Sequence, residues 1–600
     1  MIDPVDRRSL LRRAVALGGT AAIMPLFPAW AQPISAGIPA ALPTVSGDEI
    51  RLRIAHRMVT IDGHTTHGIG LNGTVPGPLI RLREGQTARL HVENALDEDS
   101  SIHWHGLLLP FHMDGVPGVS FPGIRPRSTF TYEFPVIQSG TYWYHSHSGL
   151  QEQLGHYGPI VIDSAGPDPI LSDREHVLVL SDHSPLHPHI IFKKLKQMGG
   201  YFNYQKQTLA GQAAGRDQPS AERLAWGAMR MDPTDVADVT GSTYTYLVNG
   251  HGPQDNWTGL FAAGERVRLR VINASAMTTF NVRIPGLKLT VVQADGLPVR
   301  PVTVDEFQIA VAETYDLIVE PDAARAWTIV AESVDRSGMA RATLAARAGM
   351  VAPVPPLRPR PLASMKDMGM GGMDHGMHGG AMGGTAKPVD PDCPPEHAAM
   401  GHCAPGGAGG GAMAMDHSMR DMALAPTVAD TPTVQTISPM PVDRTGEPGQ
   451  GLADAGHRVL VYRDLAATTR NPDPRAPDRS LTIHLTGNME RYMWAFDGVK
   501  LSEVKAPIPF VKDERVRVTL VNDTMMGHPI HLHGHFFELV TGHGDHAPRK
   551  HTVNVQPGGT VTFDVTTDAV GDWAFHCHML YHMHAGMMQV VSVRPRGGAA

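Results

Sequence analysis

Cysteine is almost missing from this chain: 3 in 600 residues, against 33 histidines and 30 methionines. Three cysteines cannot build a disulfide framework, although one bridge is available to them. A basic excess is missing too. Lys and Arg number 51 and Asp and Glu 59, a net charge of −8, which argues against a nucleic-acid partner. Beyond the first thirty residues no apolar run approaches the ~20 residues of a membrane-spanning helix, so no stable membrane anchor is expected. A hydrophobic fraction of 42% over this length supplies cores for several domains. What the chain has in excess is imidazole and thioether. Both bind transition metals, and the thioether is selective for soft ions such as Cu(I).

The first residues read as an export signal. Arg7-Arg8-Ser9-Leu10-Leu11-Arg12-Arg13 precede an apolar run over 14–27 and the small-residue site Ala29-Trp30-Ala31. The paired arginines followed by two leucines resemble a twin-arginine signal, of the type that exports folded proteins. Residues 1–31 are therefore expected to be a cleaved signal peptide, and the mature protein to be soluble in a bacterial periplasm.

An internal repeat organises the rest. Arg89-Leu-His-Val-Glu-Asn94, Arg268-Leu-Arg-Val-Ile-Asn273 and Arg517-Val-Thr-Leu-Val-Asn522 are three versions of one strand ending in Asn, each preceded by a turn at Asn72-Gly73, Asn249-Gly250 or Asp497-Gly498. A second phrase, Gly140-Thr-Tyr-Trp-Tyr-His-Ser-His147, returns as Gly571-Asp-Trp-Ala-Phe-His-Cys-His578, with Ala326-Trp-Thr-Ile-Val-Ala-Glu332 as its counterpart in the middle copy. Short strands with frequent Gly and Pro predict an all-β protein of three sandwiches, at 45–165, 175–347 and 457–595. Residues 190–240 break the strand pattern, and Ala221–Met229 is expected to form a short helix on the second sandwich. Residues 348–456 form a Gly, Pro, Ala and Met-rich linker, expected to be disordered and to bury no core.

The middle copy acts as a control for the histidines. Nine and eleven residues after the repeat Asn stand His103 and His105 in the first copy and His531 and His533 in the third, but Val282 and Ile284 in the second. Residues two apart on a strand share a face, so each pair projects two imidazoles in one direction. His145 with His147, and His576 with His578, repeat the pattern. Four pairs are thereby predicted to converge at one interface. Cys577 lies between His576 and His578, and strand alternation sends its sulfur to the opposite face, where His528, His582 and Met587 complete a set of two His, one Cys and an axial Met. That composition suits an electron-transfer copper site better than zinc, which rarely takes a thioether.

His103-Trp-His-Gly106, His145-Ser-His147, His528-Pro-Ile-His-Leu-His533 and His576-Cys-His-x3-His582-x4-Met587 resemble the four copper motifs of the multicopper oxidases, three-domain proteins of cupredoxin-like Greek-key sandwiches. The resemblance covers the chain outside the signal and linker. It implies four copper ions: type 1 on His528, Cys577, His582 and Met587; type 2 on His103 and His531; one type 3 on His105, His145 and His578, and the other on His147, His533 and His576. It also implies one-electron oxidation of a substrate coupled to reduction of O2 to water, with Cys577 as the electron route. Asp114, in His112-Met-Asp-Gly115, matches the family's proton-delivering acid, and as part of an Asp-Gly pair it is equally a turn residue. A second acid, which some relatives carry just after the last type 1 His, is replaced here by Met583 and His584.

The linker bears on the substrate. Met365, Met368, Met370, Met373, His375, Met377 and His378 open a Met- and His-rich stretch that continues to Met422, suited to recruiting Cu(I) and, through His, Cu(II). Cys393 and Cys403 have two readings, a local disulfide or copper ligands. Such an insertion, with Gln151-Glu-Gln153 and Tyr581-His-Met583, is similar to the copper-resistance (CopA-type) branch, which implies a periplasmic cuprous oxidase. The rival readings are a laccase-like oxidase of phenols and a copper-sequestering protein. His543, Asp545, His546 and His551 form a further group, read either as an accessory copper site or as solvated loop residues.

Overall fold

The structure is a computed structural model, described here for residues 37–371 and 419–597. The signal segment, Met373, His375, Met377, His378, Cys393 and Cys403 lie outside the described residues. Six sheets pack as three β-sandwiches in chain order. In each sandwich the repeated strand runs parallel to a strand from which two others separate it in the chain: Thr87–Asn94 beside Glu49–Ile61 across His64–Leu71 and Leu79–Arg83, and likewise Val267–Asn273 beside Arg174–His183 and Arg515–Asn522 beside Arg479–Asn488. Each parallel partner also pairs antiparallel with the strand that precedes the turn. Parallel neighbours need a crossover, and the same crossover recurs three times.

Two polar positions hold the copies in one register. The turn residues Asn72, Asn249 and Asp497 have φ of 48°, 54° and 49°, each followed by a Gly at positive φ, the geometry of a tight two-residue hairpin turn. Each turn residue's Oδ1 accepts a backbone N–H from the parallel strand, of Arg53, Val179 or His484, at 2.8 Å. The repeat Asn then closes the next loop. Nδ2 of Asn273 and of Asn522 donates to two backbone carbonyls and that of Asn94 to three, while Oδ1 accepts the N–H two residues on, of Leu96, Ser275 or Thr524. All three are fully buried, which is tolerable because their polar atoms are partnered.

Helices cluster in the second domain's insertion. Ser220–Ala228 is helical as expected, with Trp226 buried, and Pro188–Gln197 adds a helix that the sequence reading did not anticipate. Among the described residues no helix is long and apolar enough to cross a membrane.

The linker's flanks depart from the expectation that nothing in 348–456 is buried. Ala363, Met368, Ala425, Val428, Val434 and Ile437 are buried, Val442–Asp443 pairs with the strand Gly559–Thr566, and Arg358 binds Glu306 and Glu332 of the second domain. A Gly/Pro-rich segment that lacks a core of its own is covering the cores of its neighbours.

Candidate metal centre

Two strand pairs from different domains build a cage of imidazoles. His103–His105 pairs antiparallel with Gly140–His145, placing His103 opposite His145. In the third domain His528–Leu532 pairs with Gly571–Cys577, placing His531 opposite His576. The eight cage histidines meet where the first and third domains face each other, and all are buried except His147, which is half-buried. His147, His533 and His576 offer ring nitrogens within 4.8 Å of one another, as do His103, His105 and His145, and His103, His531 and His533. His533 Nε2 stands 3.0 Å from His576 Nε2, and His145 Nε2 3.3 Å from His578 Nε2. The equivalent positions of the middle domain, Val282 and Ile284, are buried in its apolar core.

Outward hydrogen bonds decide which nitrogen is left to bind. A carbonyl oxygen can only accept, so His103 Nδ1 donates to Asp114 O at 2.7 Å, His531 Nδ1 to His551 O at 2.7 Å and His576 Nδ1 to Cys577 O at 3.0 Å. Their Nε2 atoms then carry the lone pairs, and those of His103 and His531, with Nε2 of His147 and Nδ1 of His105, have no partner although buried. Orphaned buried acceptors are costly, and a shared metal satisfies them. Burial, together with neighbouring imidazoles, holds His105, His145, His147, His531, His533 and His578 well below the usual histidine range, and His576 is lowered to about 4. These rings are therefore neutral at physiological pH, the state in which imidazole can bind a metal. Asp114 is buried behind the cage, with Oδ2 2.9 Å from His533 Nδ1, and Gly115 at φ 87° lets that turn close against Ile102.

The opposite face of the Gly571–Cys577 strand carries the second site. Cys577 Sγ lies 3.6 Å from His528 Nδ1 and 3.8 Å from His582 Nδ1, with the two nitrogens 3.2 Å apart. The thiol is free and buried, and burial pushes it above its ordinary range, so a bound cation is what would favour the thiolate. Met587 is fully buried, its backbone bonded to Cys577 and His582. Behind these side chains, Thr524 Oγ1 is 2.8 Å from His528 Nε2, Asp238 Oδ2 is 2.6 Å from His582 Nε2, and Trp494 stacks on His582 at 3.9 Å.

Met365, Met368 and Met370 from one flank of the linker and Met419 from the other meet Met229, Met231, Met489 and Met525 around Trp226. The accessory group does not assemble. His543 is turned to Arg463 O, Asp545 to Arg470, and His546 to Ala467 O. His551 is not solvated: it sits in the bend between Lys550 and Thr552, buried, 4.8 Å from the ring of His105. Sequence reasoning missed Asp238 and Thr524, and noted Glu152 only within a signature. Asp238 comes from the irregular 229–244 segment of another domain, where no local pattern announces it.

Sequence profiles of the multicopper oxidase family match residues 53–166, 220–349 and 474–597. The chain is 50% identical to a copper resistance protein A homolog of Pseudomonas syringae pv. tomato, over 94% of this chain and 95% of that one. It is 47% identical to copper resistance protein A of Escherichia coli, over 99% and 100%. A multicopper oxidase from Pseudomonas thermotolerans superposes with a TM-score of 0.55 at 21% identity, covering 92% of this chain and all of that one. Fet3p, described as a multicopper oxidase that functions in iron import, does so with 0.59 at 18%, covering 92% and 90%. At such identities the structural likeness concerns the fold alone.

Proposed function

Starting from the chain's membership of the multicopper oxidase family, we propose that it is a periplasmic cuprous oxidase serving copper resistance, converting four Cu(I) to four Cu(II) while O2, four protons and four electrons become two waters. In this reading His528, Cys577, His582 and Met587 hold the type 1 copper; His103 and His531 the type 2; His105, His145 and His578 one type 3; and His147, His533 and His576 the other. Bound copper supplies one-electron storage at the Cys577 site and four-electron reduction of O2 at the cage.

The protein's own part is placement. Cys577 and its neighbours His576 and His578 put both sites on one stretch of backbone. Asp114 holds His533 and stands beside the reaction volume as the group that passes protons. Burial of the cage limits the escape of partly reduced oxygen.

The thioether cluster is the observation that carries the choice of Cu(I). Eight methionines drawn from two domains and both linker flanks gather beside the type 1 loop, since Met525 adjoins Thr524, the partner of His528. Sulfur against Trp226 is also good packing, yet a core needs no thioether where leucine fits. A phenol oxidase needs substrate access to His528 or His582, and both rings are 0% exposed beneath Trp494, Tyr492 and Asp238. Twin-arginine export is supported by the basic pair and small-residue site of the signal segment, and fractionation of expressing cells checks it.

Replacing Met365, Met368, Met370 and Met419 together by Leu keeps volume and removes soft ligands. The KM for Cu(I) should rise about tenfold or more while oxidation of a small phenol is unchanged. An unchanged KM for Cu(I) removes the basis for this substrate.

A further inference from the structure

Each side of the imidazole cage has one carboxylate behind it. Asp114 stands behind His533. On the other side Glu152 Oε2 lies 2.7 Å from His145 Nδ1, both residues buried. We propose that Glu152 is a positioning residue of the cage, whose carboxylate accepts the Nδ1 proton of His145 and so commits Nε2 to the metal. The assignment rests on the reading of His145 as a copper ligand.

Three observations carry it. First, His145 Nε2 and His578 Nε2 face each other at 3.3 Å, and they bind one ion only if each presents a lone pair. For His145 that requires the proton on Nδ1, where the acceptors are Ser146 O at 3.2 Å and Glu152 Oε2 at 2.7 Å. The carboxylate is the closer and the stronger, since a charged acceptor roughly doubles a hydrogen bond. Backing of this kind fixes a metal-bound imidazole's orientation and raises its basicity.

Second, Glu152 has no evident structural reason to be an acid. Among the described residues no Lys or Arg pairs with it, and its Oε1 has no hydrogen-bond partner. A buried carboxylate of that kind is costly unless a positive charge stands near, and the ion beyond His145 provides one.

Third, Glu152 is held still. It opens the 3-10 turn Glu152–Leu154, closed by Gly155 at φ 110°. Gln151, just before it, is bonded to Ser100, Ser146 and Glu98, and Gln153, just after it, to Asp182 and Tyr244. A side chain between two anchored neighbours aims at one target.

The test compares full-length Glu152→Ala and Glu152→Gln with wild type, loaded with copper and challenged with a chelator. Copper content and the electron paramagnetic resonance of the cage are followed, and the blue band at Cys577, in another domain, reports folding. Glu152→Ala should keep the blue band, lose cage copper at about 10–100-fold lower chelator concentration, and show the resonance of an uncoupled type 3 ion. Glu152→Gln can still offer an amide oxygen to Nδ1, so it should keep a full copper count with intermediate retention. Wild-type retention in Glu152→Ala overturns the proposal, and so does Glu152→Gln behaving as badly as Glu152→Ala. If the wild-type cage itself takes up no copper, the ligand reading and the proposal fall together.

Discussion

Asp238 of the second domain and His582 of the third meet across a domain boundary at 2.6 Å, carboxylate to Nε2, with both side chains buried. Tyr492 donates to the same Asp238 oxygen at 2.8 Å. The Cys577 site of the third domain, proposed to hold the type 1 copper, is thus backed by a carboxylate from outside that domain.

A carboxylate behind a ligating imidazole favours the more positive metal state. Asp238→Asn should keep the blue colour and raise the type 1 potential by roughly 60–120 mV, at 59 mV per tenfold change for one electron. Redox titration of the blue band checks this; an unchanged or lower potential contradicts it.

Cys577→Ser removes the thiolate and leaves both His576 and His578 in place. The variant should lose its blue colour and all turnover while the cage still takes up copper, read by absorption and metal analysis. A sequestering protein, by contrast, would go on protecting cells with this substitution.

Gly106 has φ 82°, and an added Cβ would lie 2.4 Å from His551 Nε2. His551 supplies the carbonyl that fixes His531. Gly106→Ala should destabilise by about 1–3 kcal/mol and loosen cage copper before it affects the blue band, as chelator titration with the two spectra would show.

Lys550 is fully buried between Asp295 at 3.0 Å and Glu313 at 3.2 Å, tying the third domain to the second. Burial alone would lower its proton affinity, but the two carboxylates outweigh that and hold the ammonium above the usual lysine value. A folded-state value above the unfolded one gives stability that is complete below the usual lysine range and is lost as pH rises through the folded value. The wild type should therefore weaken in strong alkali. Lys550→Met, which leaves two buried acids unpaired, should cost about 3–5 kcal/mol at neutral pH and lose that alkaline step in a pH series of thermal melts.

The fold was readable because its signals are local. Asn94, Asn273 and Asn522 recur at one strand end for one reason, the loop carbonyls each must satisfy, and the apolar Val282 and Ile284 of the middle copy set off the ligand pairs of the outer ones. Strand alternation also placed Cys577 back to back with the cage. What escaped depends on contacts between distant segments. Asp238 reaches His582 across 344 residues, His551 looks like part of a His-rich loop until the strand Thr552–Val555 draws it inward, and the linker flanks are buried only because two other domains offer surfaces to cover. Composition shows that a segment cannot make its own core, and it is silent on whether the segment borrows one.

The central claim is tested most directly by steady-state O2 uptake of copper-loaded protein with Cu(I) and a phenol as competing reductants. The account predicts that Cu(I) suppresses phenol oxidation, that about four Cu(I) disappear per O2 as the electron balance requires, and that no peroxide accumulates. Phenol turnover unaffected by Cu(I), with Cu(I) oxidised no faster than in buffer, would contradict it.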